Sequence, residues 1–198
     1  MRSDFRRNVA ACSLVLLIAA AGCQTARVED PVTAKLGGDD PDAQLAFWHT
    51  LAEQPVTSND DAFHGLLLYL DGSDAAADYA GRVAALKDRR MLRRSFDEPA
   101  DRAVSRGTLA VAIARALNLK GGLTMRALSP LGGGVPPARY AVRELMFAGV
   151  YPPSAPHQTF SGEEFLGIIG RVEDHQRRVD ATDVPAAVLP GEAAAPTP

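Results

Sequence analysis

The chain has 198 residues, 46% of them hydrophobic and 23% charged, with a formal net charge of −3. That balance gives no overall basic footprint for nucleic acid. Its two cysteines, Cys12 and Cys23, are too few for a disulfide framework or a cysteine-based metal site.

The first element is a leader. Met1, Arg2, Arg6 and Arg7 precede an apolar run from Val9 to Ala21. Spanning a bilayer takes about 20 apolar residues, so this shorter run reads as the h-region of a secretory signal. Ala20, Ala21 and Gly22 then meet Cys23 directly. The junction resembles the lipobox of bacterial lipoproteins, with Ala20 standing where that family usually has Leu. The resemblance implies cleavage between Gly22 and Cys23, a diacylglycerol on the cysteine sulfur, and fatty acylation such as palmitate on the new amino terminus. Two or more chains hold a protein stably on a membrane, at about 0.8 kcal/mol per buried methylene. Gln24 stands where the family uses Asp for inner-membrane retention, which implies an outer-membrane address.

Losing residues 1–22 removes Arg2, Arg6, Arg7 and Asp4 and leaves 18 basic and 23 acidic side chains, a net charge of −5. An anionic membrane surface mildly repels such a chain, so lipid and not charge would hold it there. With Cys12 discarded and Cys23 acylated, the fold must stand on its apolar core, which about 135 residues allow.

Residues 23–41 read as the lipidated cysteine and a flexible spacer, being polar and broken by Pro31, Gly37, Gly38 and Pro41. Residues 42–178 read as an all-α domain of about six short amphipathic helices, because apolar residues recur there at three-to-four spacing. The first helix carries Leu45, Trp48 and Leu51. The second carries Phe63, Leu66 and Leu70 behind Ser58, and the third starts near Asp74 with Tyr79, Val83 and Leu86. The fourth holds Leu109 and Ile113 behind Ser105, the fifth Val142 and Leu145, and the sixth Phe165 and Ile168 behind Ser161. Only Leu123–Leu128 alternates enough to suggest a short strand. Residues 179–198, rich in Ala and Pro, have little to bury and read as a disordered tail.

The helices repeat. Val83, Leu86 and Met91 align with Val142, Leu145 and Val150, where Gly149 supplies the break. Ser105, Leu109, Ile113 and Arg115 share their offsets with Ser161, Phe165, Ile169 and Arg171, and Ser58, Ala62, Leu66 and Leu68 follow the same frame without the arginine. The three serines lie 47 and 56 residues apart, a spacing that calls for stacked units over about 43–72, 79–119 and 138–175. The pattern resembles the S-layer homology family. That resemblance implies helix-loop-helix modules, often three about a pseudo-threefold axis, that bind cell-wall polysaccharide or peptidoglycan-linked polymer without catalysis. The family's ligand-binding arginine maps onto Arg106, whereas the corresponding positions of the other units hold Asn59 and Gly162.

Candidate binding residues follow from charge and aromaticity. Arg82, Lys87, Arg89, Arg90, Arg93 and Arg94 form a basic run that Arg102 and Arg106 could join as a cationic patch for an anionic polymer. Tyr151, in a loop after a helix stop, is the aromatic best placed to stack on a sugar, which makes Arg93, Arg94, Arg106 and Tyr151 the candidate ligand-binding set. The four histidines His49, His64, His157 and His175 show no metal-ligand spacing and read as surface or boundary residues, so neither a metal nor a cofactor is expected. The acidic pairs Asp60-Asp61, Asp97-Glu98 and Glu163-Glu164 are adjacent and should splay apart around helix starts or loops. Gly132-Gly133-Gly134 lacks the Lys-Ser/Thr ending of a phosphate loop, and Ser161 lacks a nucleophile elbow but can form a capping box with Glu164. Together these features point to a non-catalytic, membrane-anchored envelope protein that binds wall or surface glycan. The alternatives are an adaptor that docks an envelope protein and, less well supported, a hydrolase.

Overall fold

The computed structural model describes residues 26–38, 40–119 and 135–183. Within them the chain is all-helical, with α1 (Thr33–Leu36), α2 (Pro41–Ala52), α3 (Asn59–Asp71), α4 (Tyr79–Asp88), α5 (Arg106–Ala116), α6 (Ala138–Phe147) and α7 (Gly162–Asp183). Only isolated bridges interrupt the helical pattern among the described residues. The segment read as a possible strand, Leu123–Leu128, lies outside them.

The starts are set by side-chain caps. Asp40, Ser58, Asp78 and Ser105 accept from the backbone N–H three residues on, which satisfies a donor that the helix itself cannot. Ser161 and Glu164 form the full reciprocal box, with Glu164 N–H donating to Ser161 Oγ and Ser161 N–H to Glu164 Oε2, each at 3.1 Å. The helix expected from near Asp74, α4, starts instead at Tyr79 behind Asp78, because the Asp74 carboxylate is turned inward.

Two lead helices stop in the same way. Met91 and Leu92 N–H both donate to Leu86 O, at 2.8 and 3.2 Å, while Val150 and Tyr151 N–H donate to Leu145 O at 2.9 and 3.1 Å. The turn needs one left-handed residue. Gly149 supplies it at φ 75° without strain, and Arg90 adopts φ 57° at the equivalent place.

The three units close into a ring. Lead helix α4 packs chiefly on α3, α6 on α5, and α2 returns to α7, so each unit's first helix rests on the second helix of another. The extended segments before α3, α5 and α7 meet at a shared junction. Val104 N–H donates to Thr57 O at 3.0 Å, Thr57 N–H to Phe160 O at 2.9 Å, and Arg106 N–H to Gln158 O at 2.7 Å, so each segment bonds both others. Phe47, Leu51, Phe63, Leu109, Leu145, Phe160 and Phe165 fill the space between the helices. Burying each such side chain stabilises by about 1.5–3 kcal/mol.

The stretch read as a spacer is fastened to this ring over much of its length. Ala103 N–H donates to Ala26 O at 2.9 Å and Val28 N–H to Asp101 O at 2.7 Å, adding a fourth extended segment to the junction. Val28 and Val32 are buried, and α1 follows. At the other end, α7 runs past the expected domain boundary to Asp183, and residues 184–198 lie outside the described ones.

Candidate functional site

The basic run does not form one patch. Arg82 is buried and paired with Asp60 and Asp74, at 2.6 and 2.5 Å. Arg89 makes a two-pronged pair with Asp71, and Arg102 pairs with Glu98. Arg93 and Arg94 are exposed on the segment after α4, with no ion pair assigned to either among the described residues.

Arg106, expected to hold a ligand, is spent inside the protein. Its guanidinium donates to Thr159 O at 3.0 Å, Ser154 Oγ at 2.9 Å and Glu164 Oε1 at 2.7 Å, and it lies 4.8 Å over the Phe160 ring. All three of its prongs join the second unit to the third. Burial works against ionisation of Glu164, but the Ser161 N–H and Arg106 outweigh it and hold the carboxyl below its ordinary range.

Tyr151 is likewise not available for stacking. It is 4% exposed, packs edge-on to Phe160 and donates its hydroxyl to Arg106 O at 3.3 Å. The physical reason is the helix stop, which turns the chain back so that position 151 takes the same inward place as Leu92. Burial pushes its pKa well up, with Arg106 only partly opposing. Cys23 and Gly22 lie outside the described residues.

The most connected polar cluster is one that sequence reasoning missed. His64 is fully buried, not at a boundary, and its Nδ1 sits 2.6 Å from Asp74 Oδ2, so the tautomer with Nδ1–H donates to the carboxylate. Arg82 Nε donates to the same oxygen and Arg82 Nη1 to Asp60 Oδ1. Thr33 Oγ1 donates to Asp60 Oδ2 at 2.7 Å, and Thr33 N–H to Asp61 Oδ1 at 2.9 Å. Ser58 Oγ completes the set at 2.7 Å from Asp61 Oδ2. The adjacent carboxylates of Asp60 and Asp61 therefore converge on Thr33 and do not splay apart. Burial alone would raise the Asp74 pKa, but the hydrogen bonds from His64, Arg82 and the Ala76 N–H keep it below the ordinary value. This cluster clips the N-terminal segment to α3 and α4. Its outer side forms part of an open polar cleft of about 610 Å³ with Lys35, Gly37 and Asp78.

A second concavity has a different chemistry. The segment from Met91 to Glu98 and the starts of α5 and α6 enclose a groove of about 270 Å³. Leu92, Phe96, Val111, Ala138 and Pro156 make it partly apolar, while Arg93, Ser95, Asp97, Glu98, Ser105 and Thr108 supply polar groups. Phe96 is held edge-on by Phe63, which in turn stacks on Tyr79. Of the four candidate ligand-binding residues, Arg93 alone lines this groove. Arg106 turns toward the third unit.

Among the described residues no group of His, Cys, Asp or Glu is arranged to hold a metal ion. None of the described helices is long and apolar enough to cross a membrane. The chain matches no protein family, no curated protein and no solved structure.

Proposed function

We propose that this chain is a membrane-anchored envelope lipoprotein, acylated at Cys23, whose three-unit helical ring binds a wall or surface glycan without catalysis. The observation that carries the binding role is the Met91–Glu98 groove, where an aromatic ring, an arginine, two carboxylates and three hydroxyls line one small concavity. Carboxylates and hydroxyls suit the donors and acceptors of a sugar ring, the apolar face of which can lie on Phe96. Arg93 would meet an acidic substituent of the polymer through charge-assisted hydrogen bonds. The cyclic packing of three helix-loop-helix units supports the S-layer-like reading. Binding is assigned to this groove because Arg106 and Tyr151 are engaged inside the fold.

Co-sedimentation with purified peptidoglycan tests the role. Arg93→Gln combined with Asp97→Asn is expected to lower the bound fraction several-fold, by about 1–2 kcal/mol, if charge-assisted bonds are lost. Unchanged sedimentation would remove the groove from consideration. Incorporation of a fatty-acid label that disappears in Cys23→Ser tests the anchor.

A second reading, an adaptor for an envelope protein, is favoured by Phe147, which is 93% exposed at the end of α6. The ring offers apolar area to a partner, although one exposed apolar residue by itself is ordinary on a protein surface. Crosslinking from position 147 to one defined protein, lost in Phe147→Ser, would favour it.

A further inference from the structure

The fastening of the N-terminal segment fixes how the domain meets its membrane. Were residues 24–41 a free tether, their 18 residues would give an end-to-end distance of about 5–6 Å × √18, or roughly 23 Å, and the domain could tumble above the bilayer. Among the described residues the segment is instead bonded from Ala26 on, whose carbonyl accepts from Ala103 N–H. Only three residue steps separate it from Cys23, and each can span at most about 3.3–3.6 Å, so the leash is no longer than about 11 Å.

We infer that the edge of the domain formed by residues 26–30 and 98–102 lies against the lipid headgroups of the anchoring membrane. This rests on the acylation of Cys23 proposed above and adds to it an orientation. The segment is held at several independent points. Arg27 pairs with Asp101 at 2.8 Å, Val28 and Val32 are buried, and Thr33 is bonded to both Asp60 and Asp61.

Charge neither drives nor forbids the approach. Arg27, Lys35 and Arg102 stand among Glu29, Asp30, Glu98 and Asp101, and three cation–carboxylate pairs are formed among them. The edge itself therefore carries a formal charge of −2, reduced to near −1 by Lys35, which pairs with Asp30 from just outside it, and its orientation should depend little on the anionic lipid content. Glu98 belongs both to this edge and to the lining of the proposed glycan groove, and Asp97 precedes it, so a ligand would be met at the membrane surface and not at the end of a long arm.

The test uses the full-length, acylated protein. With Cys12 removed in the leader and Cys23 blocked by lipid, Glu29→Cys gives a single thiol for a fluorophore, on an exposed side chain for which no polar partner is assigned. The protein is placed in phosphatidylethanolamine–phosphatidylglycerol vesicles that contain a headgroup-linked quencher. A matched protein carries 20 Gly/Ser residues inserted between Thr25 and Ala26, ahead of the first bonded group, which adds roughly 25 Å of reach without touching the ring. The natural-length protein is expected to be quenched about twofold or more beyond the lengthened one, at every anionic lipid fraction. Equal quenching in the two, with one label per chain and the acyl mass present on Cys23, would overturn the orientation and leave the lipoprotein reading standing. More than one label per chain would overturn acylation, and the orientation with it.

Discussion

Arg82 is the residue whose removal should most clearly expose the logic of the buried cluster. Arg82→Met keeps an unbranched apolar stem at this buried position of α4 and deletes the guanidinium. It leaves the Asp74 side chain, at 0% exposure, and the Asp60 side chain, at 13%, without their cation. Removing one partner from a buried pair costs about 3–5 kcal/mol, because the stranded charge stays desolvated. A domain of this size has about 5–15 kcal/mol in total, so the loss is large and measurable.

The pH dependence gives a sharper signature than the size of the loss. In the natural protein the folded Asp74 pKa is lowered below its ordinary 3.8, so its stabilising contribution is fully present above that value and fades as pH falls through the folded one. In Arg82→Met the carboxyl keeps the hydrogen bonds from His64 and the Ala76 N–H but loses the hydrogen bond and the charge of Arg82, so its folded pKa should rise and the variant's deficit relative to the natural protein should shrink on acidification. Urea unfolding of both proteins, followed by circular dichroism at several pH values between about 7 and 3.5, reads both. The variant should lose about 3–5 kcal/mol at pH 7, and its gap to the natural protein should narrow on acidification by up to about 1.4 kcal/mol per pH unit. Adding Asp74→Asn should flatten the slope and restore part of the loss. A penalty under about 1 kcal/mol at pH 7, typical of an exposed pair, or a pH slope unchanged from the natural protein, would refute the reasoning.

Two further predictions concern the ring. Arg90→Gly should stabilise by about 0.5–1 kcal/mol, since it relieves about 1–2 kcal/mol of left-handed strain at φ 57° and gives back about 0.5–1 as backbone entropy, whereas Gly149→Ala should destabilise by a similar amount. Paired thermal melts with opposite shifts of a few degrees would bear this out, and shifts of the same sign would not. Gly162→Ala places a methyl 1.5 Å from Leu51 O, so the start of α7 must move away from the end of α2; a loss of about 3 kcal/mol or more in denaturant unfolding is expected, and a near-neutral result would mean that the ring does not close there as described.

The helices were legible because their signals are local. A serine three residues before an unpaired N–H, and apolar residues at three-to-four spacing, need no knowledge of the rest of the chain, and Ser58, Ser105 and Ser161 all cap as the pattern predicts. The buried cluster was illegible because its members come from α1, α3, α4 and the turn at Asp74, and nothing near Arg82 distinguishes it from the solvent-facing cations that follow it. His64 sits among leucines in α3, where a polar residue can as readily mark an exposed face. The fastening of residues 26–33 depends on pairing with residues 101–103, a non-local event that a polar, proline-broken composition conceals. Tyr151 is different, because the information was present. Aligning Met91-Leu92 with Val150-Tyr151 already makes position 151 equivalent to a core leucine, although it follows a helix stop.

The same repeat register explains why the residue after each capping serine differs. Asn59 donates its side-chain amide to Pro99 O at 2.9 Å, joining the first unit to the second. Arg106 reaches Thr159, Ser154 and Glu164, joining the second to the third. Gly162, with Leu51 O where a side chain would begin, lets the third unit press on the first. One position thus makes all three seams of the ring, and each seam requires a different residue because the gap it crosses differs in width. A position that carries a ligand-binding arginine in the S-layer-like pattern is occupied here by closure, so any ligand must be held elsewhere, on surfaces the ring leaves open. Among the described residues the Met91–Glu98 groove is such a surface, bordered by the second unit's loop and the starts of α5 and α6. Changing the rim of the groove proposed above to bind glycan should leave the ring intact, whereas changing Asn59, Arg106 or Gly162 should loosen it.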